Sequence, residues 1–389
     1  MMRENGGFGN GEKINQRELV YGALAGKGPR ANPVIVPYYM LACEDRWTEL
    51  TGEPVSRFYE WMLRPWEHGR YYRMFAEKMP LDIFQPARWR PGRETWEYFE
   101  NTEIVTSGKG IFAHSKKDDT YEPLPPHPYD DDSSAVEERI VFDRADAGRL
   151  IRAEKAESLI EQGHGAFIAE AVRELGEERF IMGGGVVNVF YQASWYVGLT
   201  NLFRMLLEET ALIEYIFERL LEKNMERIRM LASCGGDAIY IDDATATCDM
   251  ISPGMYERFS LPYMKAQVDE IHRLGMKAFA IYFGGIADRI EQVVSTGADA
   301  LIMECSMKGY VNDYGQIAGI VGDRLCVCAN INPVTEFNVA GDDAFREIVE
   351  GYAAQAKKHK KYIISAGSPV TPETPLKRIL LFIEAARNA

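Results

Sequence analysis

At 389 residues, 46% hydrophobic, 26% charged and 11% aromatic, the chain has globular composition and enough apolar side chains for one large core. A formal net charge of −14 excludes a broad nucleic-acid footprint, because counterion release from phosphates needs clustered Lys and Arg. Six scattered cysteines do not form the dense framework of a small secreted domain, and no run reaches the roughly 18 apolar residues of a membrane span, so a cytoplasmic protein with no membrane contact is expected.

Residues 1–13 are polar and rich in Gly and Asn, which predicts a flexible N-terminus ahead of a single domain over 14–389. From residue 33 onward, eight short apolar runs alternate with helical patterns: 33–38, 81–85, 179–183, 238–242, 277–282, 300–304, 325–330 and 362–366. After the second run, 94–132 alternates aromatic and β-branched residues with polar ones around the turn Ser107-Gly108-Lys109-Gly110. It reads as an inserted hairpin and loop, lid-like over the catalytic end and a surface for self-association. Helical spacing marks 199–232 and 253–274, and Ile286, Ile290, Val293 and Val294 share one face of 286–294. Eight strands, each followed by helical sequence, close most simply as an α/β fold of the (βα)8 TIM-barrel type. An open doubly wound sheet would need a Gly-rich first turn, and neither GxGxxG nor a Walker A run is present.

Active sites of such barrels lie where strands end, so the run ends supply the candidates. Tyr38 and Tyr39 close the first run, Trp89 and Arg90 follow the second, and Tyr191 lies beyond the Gly183-Gly184-Gly185 that ends the third. Asp242-Asp243, Tyr282-Phe283, Glu304, Asn330 and Ser368 follow in order. Only one of Asp242 and Asp243 can face the axis, since alternate strand residues share a face. Glu304, at the end of an apolar run, is partly desolvated and suited to acid–base work, or else turns into solvent. Cys326 and Cys328 share a strand face and read as packing residues rather than metal ligands. None of the six histidines ends a strand, so neither a His-centred triad nor a His-rich metal site is visible.

Asp242-Asp243, Ile251-Ser252-Pro253 and Glu257-Arg258-Phe259-Ser260-Leu261-Pro262-Tyr263 together resemble the uroporphyrinogen decarboxylase superfamily, which includes corrinoid-dependent methyltransferases. The resemblance continues through Gly284-Gly285, Ala329-Asn330-Ile331-Asn332-Pro333 and Pro372-Glu373-Thr374-Pro375, and spans 175–389. It implies, for the decarboxylase branch, an arginine pair after the first strand and an Asp after the second; here Tyr38-Tyr39-Met40-Leu41-Ala42-Cys43 and Trp89 stand there. Arg88, Arg90 and Arg93 keep decarboxylation as an alternative, because guanidinium grips carboxylate well. For the thiol-methylating branch it implies zinc on a His-x-Cys, a second Cys and a Glu; the matching positions are Tyr282, Gly284, Ser368 and Glu304. Zinc is left open only through a rearranged site with oxygen ligands.

What the resemblance then implies is a methyltransferase that moves a methyl group from a small O-methylated, aromatic substrate to a corrinoid carried by a partner protein. Asp242, Glu304 or Tyr282 would protonate the leaving oxygen. Tyr38, Tyr39, Trp89, Arg90, Tyr191, Asp243, Phe283, Asn330 and Ser368 would line the pocket. A non-catalytic ligand-binding barrel is the remaining alternative.

Overall fold

The computed structural model describes residues 15–28, 31–86, 95–125, 139–307, 309–339 and 341–389. Among them, eight parallel strands fall on the eight predicted runs: β1 (Val34–Ile35), β2 (Ile83–Phe84), β6 (Phe180–Val187), β7 (Ala238–Asp243), β8 (Lys277–Tyr282), β9 (Ala300–Met303), β10 (Cys326–Cys328) and β11 (Tyr362–Ser365). Their order, β1-β11-β10-β9-β8-β7-β6-β2, leaves one seam between β1 and β2, and the structure is a (βα)8 TIM barrel.

That seam is held at its base by Asp82, whose N–H donates to Val34 O at 3.0 Å and whose Oδ2 accepts from Val34 N at 2.7 Å. The same reciprocal pair recurs where Asp237 meets Ile181 and where Asp299 meets Ala278, with all four distances between 2.8 and 2.9 Å. Each aspartate precedes a strand and extends the ladder past its first residue, satisfying an amide that would otherwise lack a partner. Arg387, Arg17 and Lys277 balance the three charges. These carboxylates hold the amino end of the barrel together, which leaves the carboxyl end for chemistry.

Strand alternation separates two apolar layers. Ile35, Ile83, Phe180, Met182, Ala238, Phe279, Ile281, Ala300, Ile302, Cys326, Cys328 and Ile363 fill the interior, with Val20, Ala23 and Leu24 of the helix Gln16–Leu24 closing its floor. Cys326 and Cys328 share that inner face, as their spacing predicts, and are buried in its packing. The intervening residues, among them Ile239, Ile241, Ala280, Tyr282, Leu301 and Val327, face the surrounding helices.

Two helical segments break where the spacing predicts continuity. Glu209 (φ −128°) divides Leu199–Glu208 from Thr210–Ser233, and Ser260 (φ −122°) divides Pro253–Phe259 from Leu261–Arg273. At the second break Pro262 supplies no amide to the preceding turn and starts a new helix instead. Segment 286–294 is a short 3-10 turn, Ala287–Arg289, leading into Ile290–Val294.

The insertion holds the helix Trp96–Asn101 and three antiparallel strands, β3 (Thr102–Ser107), β4 (Gly110–Ser115) and β5 (Thr120–Leu124), rather than the expected hairpin. The Ser107–Gly110 turn is as predicted. The third strand contains Pro123, which an edge strand tolerates because one side of its backbone has no partner. The sheet leans on the helix Val55–Leu63, where Tyr59 Oη donates to Pro125 O at 2.8 Å. The expected loop at the end of the insertion, 126–132, lies outside the described residues, as do the N-terminal residues 1–13. No described helix is long and apolar enough to cross a membrane.

Candidate active site

The phase of β7 decides which aspartate meets the axis. Ala238 and Tyr240 belong to the interior layer, so Asp242 continues that face while Ile241 and Asp243 turn to the helices. At the end of β1, Tyr38 reaches across and donates from Oη to Asp242 Oδ2 at 2.6 Å. The Tyr38 ring lies 5.9 Å from Tyr240, edge on, and 5.8 Å from Phe283. Tyr191, on the helix Val189–Val197, is half-buried and close enough to Asp242 that, after burial, the aspartate's charge is the next cause raising its phenol. Tyr38, Tyr191, Phe283 and Asp242 thus meet at one mouth.

Asp242 is half-buried, but its Oδ1 is enclosed and has no hydrogen-bond partner among the described residues. Burial pushes its carboxyl up to about 7; the Tyr38 hydroxyl opposes that rise and the neighbouring Asp243 adds to it. A carboxyl in that range carries a proton near neutrality and can deliver it.

Tyr240 is the aromatic wall missing from the expected pocket. Its signal is the glycine run on β6: a Cβ on Gly185 would sit 2.3 Å from the Tyr240 ring, so that position must be bare for the ring to lie there.

Asp243, expected in the pocket, is fully buried on the other side of the strand. Its Oδ2 accepts from Asn188 Nδ2 at 2.7 Å and Ser260 Oγ at 2.8 Å, and its Oδ1 accepts from Ala246 N at 3.0 Å. Asn188 Oδ1 in turn accepts from Gln267, whose Oε1 accepts from Asn224. This polar chain locks β7 to the helix layer, and Asn188 N donates to the Asp242 carbonyl at 2.7 Å.

Tyr282, expected as a proton donor, points away from the axis. It pairs in register with Asp243 on the outer face, is fully buried, and its Oη lies 2.7 Å from Tyr256 Oη. Tyr282→Phe should therefore leave turnover near wild type, in place of the roughly 100-fold or larger loss on removing a general acid. It should lower stability by about 1 kcal/mol, because Tyr256 loses its partner. Steady-state rates and urea unfolding check both.

Tyr39, expected in the pocket, is 1% exposed and packs at 4.9 Å on Phe84 in the outer layer. Asn330 is also buried, its amide tied to the carbonyls of Glu304 at 3.2 Å and Asn312 at 2.8 Å. It braces the loops after β9 and β10. Glu304 follows Ile302 on the inner face, is 6% exposed, and accepts a hydrogen bond from Tyr310 Oη. Its main chain is fixed by Asn312, which also holds Gly284 O. Ser368 is half-buried beyond β11; Trp89 and Arg90 lie outside the described residues.

A zinc cage of imidazole and thiolates does not fit this barrel. Its positions carry a phenol turned outward at Tyr282, no side chain at Gly284 and a hydroxyl at Ser368. A Cβ at 284 would fall 2.4 Å from Thr247 Oγ1, so the space for a thiol there is taken. Among the described residues, no group of three or more His, Cys, Asp or Glu is placed to hold a metal ion.

A family model described as uroporphyrinogen decarboxylase (URO-D) matches residues 128–389. The chain is similar to a uroporphyrinogen decarboxylase from Trichodesmium erythraeum, 25% identical over 379 residues that cover 91% of this chain and 96% of that protein. A chloroplastic uroporphyrinogen decarboxylase from Nicotiana tabacum is 22% identical over 359 residues, covering 87% and 84%. Among solved structures, a methyltransferase from Methanosarcina mazei has the same fold, with a TM-score of 0.67 at 15% identity, covering 97% of this chain and 99% of that one.

Proposed function

The chain belongs to the uroporphyrinogen decarboxylase family, and we propose that within this enzyme superfamily it is a methyltransferase taking a methyl group from a small O-methylated aromatic compound. The acceptor is the reduced corrinoid of a partner protein docked over the barrel mouth. The observation that carries this reading is the pairing at that mouth: a carboxyl pushed up to about 7 among the rings of Tyr38, Tyr240 and Phe283. Aromatic walls suit a flat ring, and a protonated acid suits a poor leaving group.

A reduced corrinoid would supply the nucleophile that takes the methyl group, and as the C–O bond breaks its electron pair would pass to oxygen. That oxygen takes the proton from Asp242, leaving a carboxylate and a free phenol or alcohol. Asp242 then regains its proton from solvent. Tyr38 and Phe283 hold the ring so that its ether oxygen reaches the acid.

The relatives' names favour decarboxylation as a second reading. The one arginine within 38–46, Arg46, gives that reading no support. It is 5% exposed and its guanidinium is held by the carbonyls of Ala42, Thr371 and Thr374. Mixing the protein with a reduced corrinoid protein and methoxylated aromatics should change the cobalt absorbance and release the demethylated product. Release of CO₂ from a polycarboxylate porphyrinogen, with no cobalt signal from any methyl donor, would overturn the proposal.

A further inference from the structure

We propose that Tyr38 is a positioning residue that clamps one oxygen of Asp242, so that Oδ2 is a fixed anchor and Oδ1 is left to carry the proton. The inference rests on the reading of Asp242 as the acid, and it adds an assignment of work between the two carboxyl oxygens.

Three observations converge on it. Tyr38 has φ 52° and ψ 51°, a left-handed backbone that a side chain with a Cβ adopts only where its surroundings hold it. The left-handed residue lies in the turn between β1 and the helix Tyr39–Asp45, and it sends the Tyr38 ring inward while Tyr39 goes outward into the helix layer. That inward ring meets Tyr240 and Phe283, which fix its plane, and its hydroxyl reaches Asp242 Oδ2 at 2.6 Å. The enclosed and unpartnered Oδ1 is the third observation, since buried carboxyl oxygens are otherwise nearly always bonded. A strained residue, held by two rings and bonded to one oxygen of an acid, fixes the rotation of that acid about its last torsion.

The clamp also sets when Asp242 loses its proton. The groups acting on it are Tyr38, from the turn after β1, and Asp243 from its own strand, while Tyr191 on the helix Val189–Val197 feels its charge in turn. Of these, the Tyr38 hydroxyl is the one that favours the ionised form, because it donates to the carboxylate. Without it, burial and Asp243 act unopposed and the proton is held more tightly.

The test uses the full chain labelled with carboxyl-¹³C aspartate, with the Asp242 resonance assigned by its loss in Asp242→Asn. In wild type the titration midpoint is expected near 7, and in Tyr38→Phe about 1 pH unit higher. Phenylalanine keeps the ring packing, and the remaining aspartate resonances report whether the fold is intact. A second variant, Tyr191→Phe, should leave the midpoint where it is. A Tyr38→Phe midpoint unchanged or lowered in a folded protein overturns the clamp, as would an equal rise in Tyr191→Phe. The titration needs no substrate. A raised midpoint in a protein that transfers no methyl group would support the clamp while refuting the proposed reaction.

Discussion

Asp242→Asn is expected to reduce methyl transfer by about 100-fold to 10,000-fold while making the protein more stable in alkali. The catalytic loss follows because an amide has no proton to give a departing oxygen. Substrate affinity should change little, since the rings of Tyr38, Tyr240 and Phe283 stay in place. The gain in stability follows from the sign of the proton linkage. In the unfolded chain the carboxyl ionises near its ordinary 3.8, and in the folded chain near 7. Folding therefore takes up a proton between those values, and the stability this contributes is complete below 3.8 and lost as pH rises through about 7. Above that, wild type carries a buried anion that the amide variant lacks, a difference of at most about 4 kcal/mol. The side-chain oxygen of Asn can still accept from Tyr38, and its NH₂ stands where an unpartnered oxygen stood. Melting curves at about pH 3.5, 5 and 9 should converge at the low end and separate progressively toward the high end, with wild type the lower. Parallel curves, or a variant that keeps its rate, would remove Asp242 from the chemistry.

The barrel was legible because its eight strands are short apolar runs in regular alternation with helical spacing, a pattern that depends on period alone. The active site depends on phase, and there the sequence is mute in places. In β8, Lys277-Ala278-Phe279-Ala280-Ile281-Tyr282, both faces are apolar because a parallel barrel strand is buried on both sides. Nothing in the run says whether Phe279 or Tyr282 faces the axis, so Tyr282 was expected in the pocket and lies behind it. In β7 the pair Asp242-Asp243 announced that one carboxylate would face inward, and only the packing of Ala238 and Tyr240 in the interior shows which.

The placements of Tyr39 and Asn330 have another cause. Each sits where a strand has ended and the backbone turns, so strand alternation no longer governs. The left-handed turn at Tyr38 throws the next side chain outward, and Asn330 answers to two carbonyls of the loop after β9. A residue's position at a strand end is visible in sequence, whereas the loop carbonyls it must satisfy come from segments distant in the chain. Glycine is the exception that sequence reasoning could have used: a bare Gly185 opposite Tyr240 is a statement about close approach, and it points to the aromatic wall.

The same substitution one residue along should act with the opposite sign. Asp243 accepts from Asn188, Ser260 and the amide of Ala246. Burial pushes its carboxyl up, while those donors and the Thr245 amide hold the ionised form. In Asp243→Asn one acceptor oxygen becomes an NH₂ facing donors, and whichever way the amide turns, a buried N–H loses its partner. The expected cost is about 2–3 kcal/mol. Asp243→Ala removes both oxygens and opens a cavity behind β7, at about 3–5 kcal/mol. Because Asn188 also donates its backbone N–H to the Asp242 carbonyl, loosening this network should blunt the rate as well, through a misplaced acid rather than a lost one. The rate loss in Asp243→Asn should then shrink on cooling or with added stabilising osmolyte, and the loss in Asp242→Asn should persist. Urea unfolding at pH 8 of the two asparagine variants side by side decides the matter. Equal destabilisation of both would mean that the two carboxylates share one environment and that the division of β7 into an inward acid and an outward anchor is wrong.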